Sequence, residues 1–376
     1  MAHVSLFLPT FTGDFSGACD ALFTLDCCTV VVDPKGCCMD YLMVEDPRLS
    51  ENFRRVASSR MNDVDVTMGS TASTFETARR LVRLHNPAFV ALVGTTVSSI
   101  IGLDMSLISE ELEDELGIPV LAVDTDGFTS YANGVHLACQ AVIERFGQEG
   151  PLRPKTANIL GLTPADFRTD QDGINIRYAL ENLGYEVLSD FCTGLTLDQV
   201  RLCPQASLNL AVSAAGLETA RWMKRRWNIP YVAYTPIDSY DPLLAKLIDG
   251  TLPQPNPASC EDAGTLIVAD KVIASSLRFW MQQHGANEPV AIASFFQTGQ
   301  DASDGALPLS GDLELLQLLE RNSYQTIIGD PLLGSIPSIG ATNLVQLPPP
   351  ALSASMFRAS MPTFACSDPW FQQLLP

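Results

Sequence analysis

From Thr74 onward, short apolar runs alternate with amphipathic segments of helical period, and this alternation limits the possible folds more than any other feature of the chain. A helix TFETARRLVRLHN is expected at 74–86, a buried strand AFVALV at 88–93, a helix SLISEELEDELG at 106–117, a strand IPVLAV at 118–123, and a helix running through His136 to Phe146. Strands and helices of these lengths in strict alternation imply parallel βαβ units. The Gly/Pro-rich stretch 147–155 interrupts the pattern, which resumes with TANILGL, GINIRYALENLG, YEVLS, SLNLAVS, GLETARWMKRRWN and IPYVAY. A second Pro-rich break at 250–263 precedes a third run: TLIVAD, KVIASSLRFWMQQHG, EPVAIASFF, LELLQLLERN and YQTIIGD. The expected architecture is α/β, with three Rossmann-like parallel-sheet subdomains at 1–150, 151–258 and 259–376 packed around a central cleft. Ligands of such sheets sit outside the carboxyl ends of the strands. The Pro-rich tail from Pro331 shows no clear element.

The first subdomain opens on GDFSGACDALFTLDCCTVVVDPKGCCMDY, residues 13–41, which concentrates five of the ten cysteines: Cys19, Cys27, Cys28, Cys37 and Cys38. Clustered thiols in a reducing compartment point to metal or redox chemistry rather than disulfides. No CxxC pair and no nearby histidine completes a structural zinc set. Instead, Cys19 follows small residues, TVVV reads as a strand, and Cys37 ends the Pro/Gly turn DPKGC. Glycine lets backbone approach a bulky anionic group closely, and thiolates on such loops are typical iron–sulfur ligands.

Composition excludes whole classes of partner. With 23 basic against 43 acidic residues and a formal net charge of −20, the chain lacks the cationic face that nucleic acid or an anionic membrane requires. Two stretches without acidic or basic residues, 86–103 and 331–357, are interrupted by GTTVSS and by five prolines respectively, so neither is expected to span a membrane. MAHVSLFLPTF has neither the basic segment nor the apolar core of a secretory signal, and a cytoplasmic location is expected. No Gx4GK[ST] loop is present, so nucleotide hydrolysis is assigned to a partner.

The motifs SGACDALF, TVVVDPKGC followed by EDPR, and VALVGTTVSSIIGLDMSLISEELEDELGIPVLAVDTDGF together resemble nitrogenase component 1, the family that also includes the catalytic subunits of dark-operative protochlorophyllide reductase. ADKVIASSLRFWMQQHG and YQTIIGDPLL are similar in style to the family's last domain. The resemblance implies paired three-layer α/β subunits that hold an iron–sulfur cluster at their interface. It also implies a separate ATP-hydrolysing iron protein as reductant and a small-molecule substrate. Cys19 matches the first cluster cysteine of the family and Cys37 the cysteine of its HGPxGC-like turn, whereas the third family cysteine falls on Thr96. Two copies of Cys19 and Cys37 across the twofold axis of a homodimer supply four thiolates, which suits one [4Fe–4S] cluster, with Cys38 as a reserve ligand. If the turn continues as extended chain, Cys38 points away from Cys37. The cofactor-ligating Cys and His of the nitrogenase α subunit have no counterpart, so no FeMo-cofactor and no catalytic side chain are assigned. The implied activity is that of a reductase component. The alternative is an iron–sulfur or metallocofactor scaffold without turnover, which the missing third cysteine favours.

The remaining candidates have plainer explanations. Cys27 and Cys28 flank an apolar strand, and Cys139, Cys192, Cys203, Cys260 and Cys366 are scattered, as packing residues are. GTTVSS at 94–99 suits either an anion or a simple βα turn. Arg168 suits an anionic substrate or open solvent. His3, His85, His136 and His284 are too dispersed to form a metal set, and EELEDEL reads as a solvated helix face.

Overall fold

The computed structural model describes residues 5–9, 11–45, 55–191, 193–252, 263–286, 288–295, 306–339, 342–347 and 356–374. The chain divides into two compact units, residues 12–153 with 188–206, and residues 1–11 with 154–187 and 207–376.

The first unit is built on a four-stranded parallel sheet in the order β2-β1-β3-β4. Its strands are β1 (Cys27–Val31), β2 (Val56–Ser58), β3 (Phe89–Val93) and β4 (Val120–Val123). β1 and β3 are buried along their whole length, which is why both read as unbroken apolar runs. β2 escapes a reading by pattern because it is only three residues long. Its helices include α1 (Asp14–Leu22), α2 (Gly36–Asp40), α3 (Ala72–His85), α4 (Met105–Leu116) and α5 (Tyr131–Phe146). α3 stops at Asn86 and α4 at Gly117, both with positive φ, where the backbone turns to enter the next strand.

α1 and α5 pack backbone to backbone. A Cβ on Gly17 would lie 2.1 Å from the carbonyl oxygen of Tyr131, and one on Gly134 would lie 1.7 Å from that of Asp14. The glycine of SGAC is therefore a packing residue of this helix pair.

The second unit carries two sheets. One runs β6-β5-β7-β8, formed by β5 (Arg153–Leu160), β6 (Glu186–Asp190), β7 (Ala206–Ala211) and β8 (Tyr231–Ala233). The other is parallel and five-stranded, β11-β10-β9-β12-β13, formed by β9 (Thr265–Val268), β10 (Val290–Ser294), β11 (Ala306–Pro308), β12 (Thr326–Gly329) and β13 (Asn343–Gln346). Their longer helices are α6 (Thr169–Glu181), α7 (Ala214–Trp227), α8 (Lys271–Gln283) and α9 (Asp312–Arg321). α6 starts four residues before the expected GINIRYALENLG segment.

The tail from Pro331 is structured, contrary to the sequence expectation. It contributes β13, and Phe364, Trp370, Phe371 and Leu374 join a core that also holds Trp280 of α8 and Phe167. Prolines broke the periodicity there without preventing burial. At the other end of the chain, Ser5–Leu8 fold around the Asp312 carboxylate, which accepts the N–H groups of Leu6 (2.8 Å), Phe7 (2.6 Å) and Leu8 (3.0 Å). Burial opposes the charge on Asp312, but these donors and the Ser5 hydroxyl outweigh it and hold the carboxyl below its usual range. Among the described residues no helix is long and apolar enough to cross a membrane.

Candidate functional site

In the parallel sheet of the first unit, the segments after β1, β2, β3 and β4 all emerge at one edge, the carboxyl end. The amino terminus of α1 is tied to this edge. The Asp14 carboxylate accepts the N–H groups of Asp126 (2.9 Å) and Gly127 (2.8 Å) and the hydroxyl of Thr129 (2.7 Å). Burial raises the Asp14 pKa, and those three donors work against the rise.

DPKGC sits at the same edge, directly after β1. Asp33 is fully buried and accepts the Cys38 N–H at 3.0 Å and the Ser58 hydroxyl at 2.5 Å. Burial raises the Asp33 pKa, opposed by these bonds and by the Lys35 and Cys37 N–H groups. The aspartate thus gathers the orphan donors of a helix start. Lys35 has φ 109°, a left-handed conformation that turns the chain into α2. The turn therefore enters a helix, not extended chain, and this corrects the expected relation of the two adjacent thiols. Cys37 is half-buried, while Cys38 is 2% exposed. Burial, with the charge of Asp33, pushes the Cys38 thiol up to about 12.

Cys19 lies in the second turn of α1 and is fully buried. It is two residues beyond Gly17, about 200° round the helix and thus turned away from α5. The next residue, Asp20, is 2% exposed and accepts two phenolic hydroxyls, from Tyr131 at the start of α5 (2.5 Å) and from Tyr41 (3.1 Å). Tyr41 follows α2 immediately. The helix bearing Cys19 and the segment bearing Cys37 are therefore joined through one buried carboxylate. Sequence reasoning passed over Asp20, Tyr41, Tyr131 and Asp33. Only Asp33 carried a signal, as an Asp-Pro turn before a helix.

The other candidates stand apart from this cluster. Cys27 and Cys28 belong to β1, and burial raises their thiols to about 12 and about 11. Cys139 and Cys203 are buried, and Cys366 accepts the Trp280 indole N–H at 3.3 Å. His85 and His136 are half-buried, and His284 stacks on Trp280 with ring centroids 4.2 Å apart. Thr95 and Ser98 of GTTVSS form a capping box on the short helix Thr96–Ile100. The Thr95 hydroxyl donates to the Val32 carbonyl at 2.8 Å, so this segment ties strand ends together. Arg168 donates to the Met361 carbonyl oxygen at 3.2 Å. His3, Cys192 and Cys260 lie outside the described residues.

Among the described residues no three His, Cys, Asp or Glu side chains converge on a metal position. One copy places Cys19 on α1 and Cys37, with Cys38 beside it, on α2. Thiols fit an iron–sulfur group in kind.

Comparison with known proteins agrees with this architecture. The family model for nitrogenase component 1 type oxidoreductase matches residues 15–249, more than half of the chain. A light-independent protochlorophyllide reductase subunit of Heliobacterium modesticaldum is 25% identical over 217 residues, 56% of this chain and 41% of that protein. The nitrogenase iron-molybdenum cofactor biosynthesis protein NifE of Methanosarcina barkeri is 27% identical over 197 residues, 48% of this chain and 42% of its own length. The nitrogenase molybdenum-iron protein alpha chain of Clostridium pasteurianum is 25% identical over 187 residues, 48% of this chain and 34% of its own. The matched part thus spans less than half the length of each of these relatives. A solved structure described as nitrogenase Cp1 at pH 6.5 superposes with a TM-score of 0.70 at 14% identity, covering 100% of this chain and 94% of that one, and shares the fold. The chain belongs to the nitrogenase component 1 type oxidoreductase family.

Proposed function

We propose that the chain is a nitrogenase-like reductase component in which Cys19 and Cys37 of two copies hold one [4Fe–4S] cluster across a homodimer axis. The observation that carries this reading is the pair of thiols on α1 and α2, joined through Asp20 and Tyr41 at the carboxyl edge of a sheet within the family-matched segment. When bound, the cluster supplies one-electron transfer at low potential.

The chain's own residues do the positioning. Asp33 fixes the turn that presents Cys37, Asp14 and the close approaches of Gly17 to Tyr131 and of Gly134 to Asp14 fix the start of α1, and Asp20 sets α1 against the segment after α2. Cys19 is enclosed, so loading accompanies opening of its cover. In this proposal a separate ATP-dependent iron protein is the electron donor, and a small molecule at the carboxyl ends of the sheets is the substrate. The three-part division at 150 and 258 is kept as the domain scheme, in a soluble cytoplasmic protein.

A second reading, a cluster or metallocofactor scaffold without turnover, is favoured by Thr96 in place of the third family cysteine and by relatives named as cofactor biosynthesis proteins. The test is iron and acid-labile sulfide content of protein purified without oxygen, with electron paramagnetic resonance after dithionite, on wild type and on Cys37→Ala. About two irons per chain are expected from a four-iron cluster shared by two copies, and they should be lost in the variant. Iron-free protein after anaerobic expression with cluster assembly supplied overturns both cluster readings. Iron that moves to an acceptor protein, with no turnover when an iron protein and ATP are supplied, selects the scaffold.

A further inference from the structure

A different part of the molecule carries a pair of carboxylates that the proposed function does not use. In the second unit, Asp166 follows β5 and Asp270 follows β9, and both line a small, partly open cavity of about 10 Å³, room for about one water molecule, with Asp270 buried and Asp166 half-buried. The other walls are Ile273, Leu347, Met361, Pro362 and Phe364, with Ala269. The Asp270 carboxylate accepts the N–H groups of Val272 (2.8 Å) and Ile273 (3.1 Å), capping α8, and that of Ala214 (2.8 Å), the first residue of α7. It therefore ties helices of two sheets together. Asp166 has only hydroxyl partners, Thr163 at 2.7 Å and Ser213.

One segment covers the pair. Met361 is held by Arg168 through its carbonyl (3.2 Å), and the Phe364 N–H is accepted by Asp172 of α6 (2.8 Å). The Phe364 ring packs on Phe167, with centroids 5.5 Å apart. The Thr363 N–H is accepted by Asp368 at 2.9 Å. These residues belong to no strand, so a few contacts decide whether the cover is down.

We propose that Met361–Phe364 is a proton-gated strap, closed over Asp166 and Asp270 while the pair carries one proton and open when that proton is lost. The cavity has room for about one water molecule, and two unprotonated carboxylates lining it among apolar walls are unfavourable. Asp270, with three N–H donors, is the better site for the charge, and Asp166 for the proton. Burial first, and then the Asp270 charge, push Asp166 from 3.8 up to about 7.

The other charged groups around the pair are Lys271 beside Asp270, and Arg168, Asp172 and Asp368 at the edge of the strap. Burial, ahead of the Asp368 charge, raises Asp172 to about 6, and its titration acts in the same direction. The sign follows from linkage. Lifting the strap hydrates Asp166 and returns it toward its ordinary value, so the closed form binds the proton more tightly and loses ground as pH rises from about 4 to about 7.

The experiment is amide hydrogen exchange of the full chain at about pH 5.5 and about pH 8, corrected for intrinsic rates. The peptide spanning 361–366 is compared with one from β12. The expected result is a loss of protection of roughly 30-fold in the strap at the higher pH, with β12 unchanged, and a clearly smaller loss in Asp166→Asn, which mimics the protonated acid and leaves only the Asp172 contribution. Strap protection that ignores pH, an equal loss in Asp166→Asn, or a loss shared by β12 overturns the proposal. Should Asp166→Asn not fold, the infrared carbonyl band of a buried protonated carboxyl in wild type decides: its disappearance in step with strap opening supports the gate, and its absence at about pH 5.5 refutes it.

Discussion

Tyr41 donates its phenolic O–H to the Asp20 carboxylate at 3.1 Å, and through this one bond the helix carrying Cys19 is linked to the segment carrying Cys37. Because Asp20 also accepts from Tyr131, the carboxylate is shared by three separate stretches of the first unit. A buried carboxylate with two hydroxyl donors is favourable only while both donors are present.

Removing the donor and removing the acceptor should therefore differ. Tyr41→Phe leaves Asp20 with Tyr131 and should cost about 1–2 kcal/mol, whereas Asp20→Ala strands two buried hydroxyls and should cost about 2–4 kcal/mol. Urea unfolding of the two variants measures both. Equal and negligible losses would show that the link does not constrain the helices.

Thiol reactivity should separate the cysteines. Cys37 is half-buried, whereas Cys19, Cys27, Cys28 and Cys38 are buried. Iodoacetamide at neutral pH should label Cys37 at least tenfold faster than those four, because reaction needs both access and a thiolate. Peptide mapping over a time course gives the order. Early labelling of Cys19 would contradict its enclosure.

Where α1 meets α5, even one added methyl group should be felt. Gly134→Ala places a Cβ where the Asp14 carbonyl group lies, and neither backbone can yield without moving a helix. A loss of about 1–3 kcal/mol or more is expected. Gly184→Ala is the informative control, since a Cβ there meets nothing within 4 Å and only the φ of 79° is strained. Thermal melts that rank Gly184→Ala as the more damaging would refute close packing at Gly134.

Asp172 should make stability depend on pH. Burial raises its carboxyl from 3.8 to about 6. A raised value in the folded state contributes stability that is fully present below about 4 and is lost as pH climbs through about 6, up to about 3 kcal/mol. Asp172→Asn keeps an acceptor for the Phe364 N–H and should flatten that part of the curve. Urea midpoints at about pH 4 and about pH 7 for both proteins give the comparison, and parallel curves would remove Asp172 from the account.

The alternation of apolar runs and amphipathic segments determined the class of the fold. β1, β3, β7, β9, β10 and β12 are largely buried runs that lie where the pattern puts them, whereas β5 starts three residues early, at Arg153 inside the expected linker. DPKGC, too, announced a turn from composition alone. The short edge strands β2, β11 and β13 were not legible, because three or four residues hold too little pattern to stand out among prolines and polar neighbours.

The site divides along the same line. Residue type marked Cys19 and Cys37 as candidates, because thiolate chemistry is carried by a single side chain and is visible in the letter itself. The enclosure of Cys19, the half-burial of Cys37 and the joining of their segments by Asp20 follow from contacts between residues far apart in the chain. Asp20 and Tyr131 are 111 positions apart, and Asp166 and Asp270, at the ends of different strands, share one cavity only after two sheets have packed. Periodicity records which face of an element is buried. Only the packed structure decides what that face meets, and the ionisation of a buried group depends on what it meets.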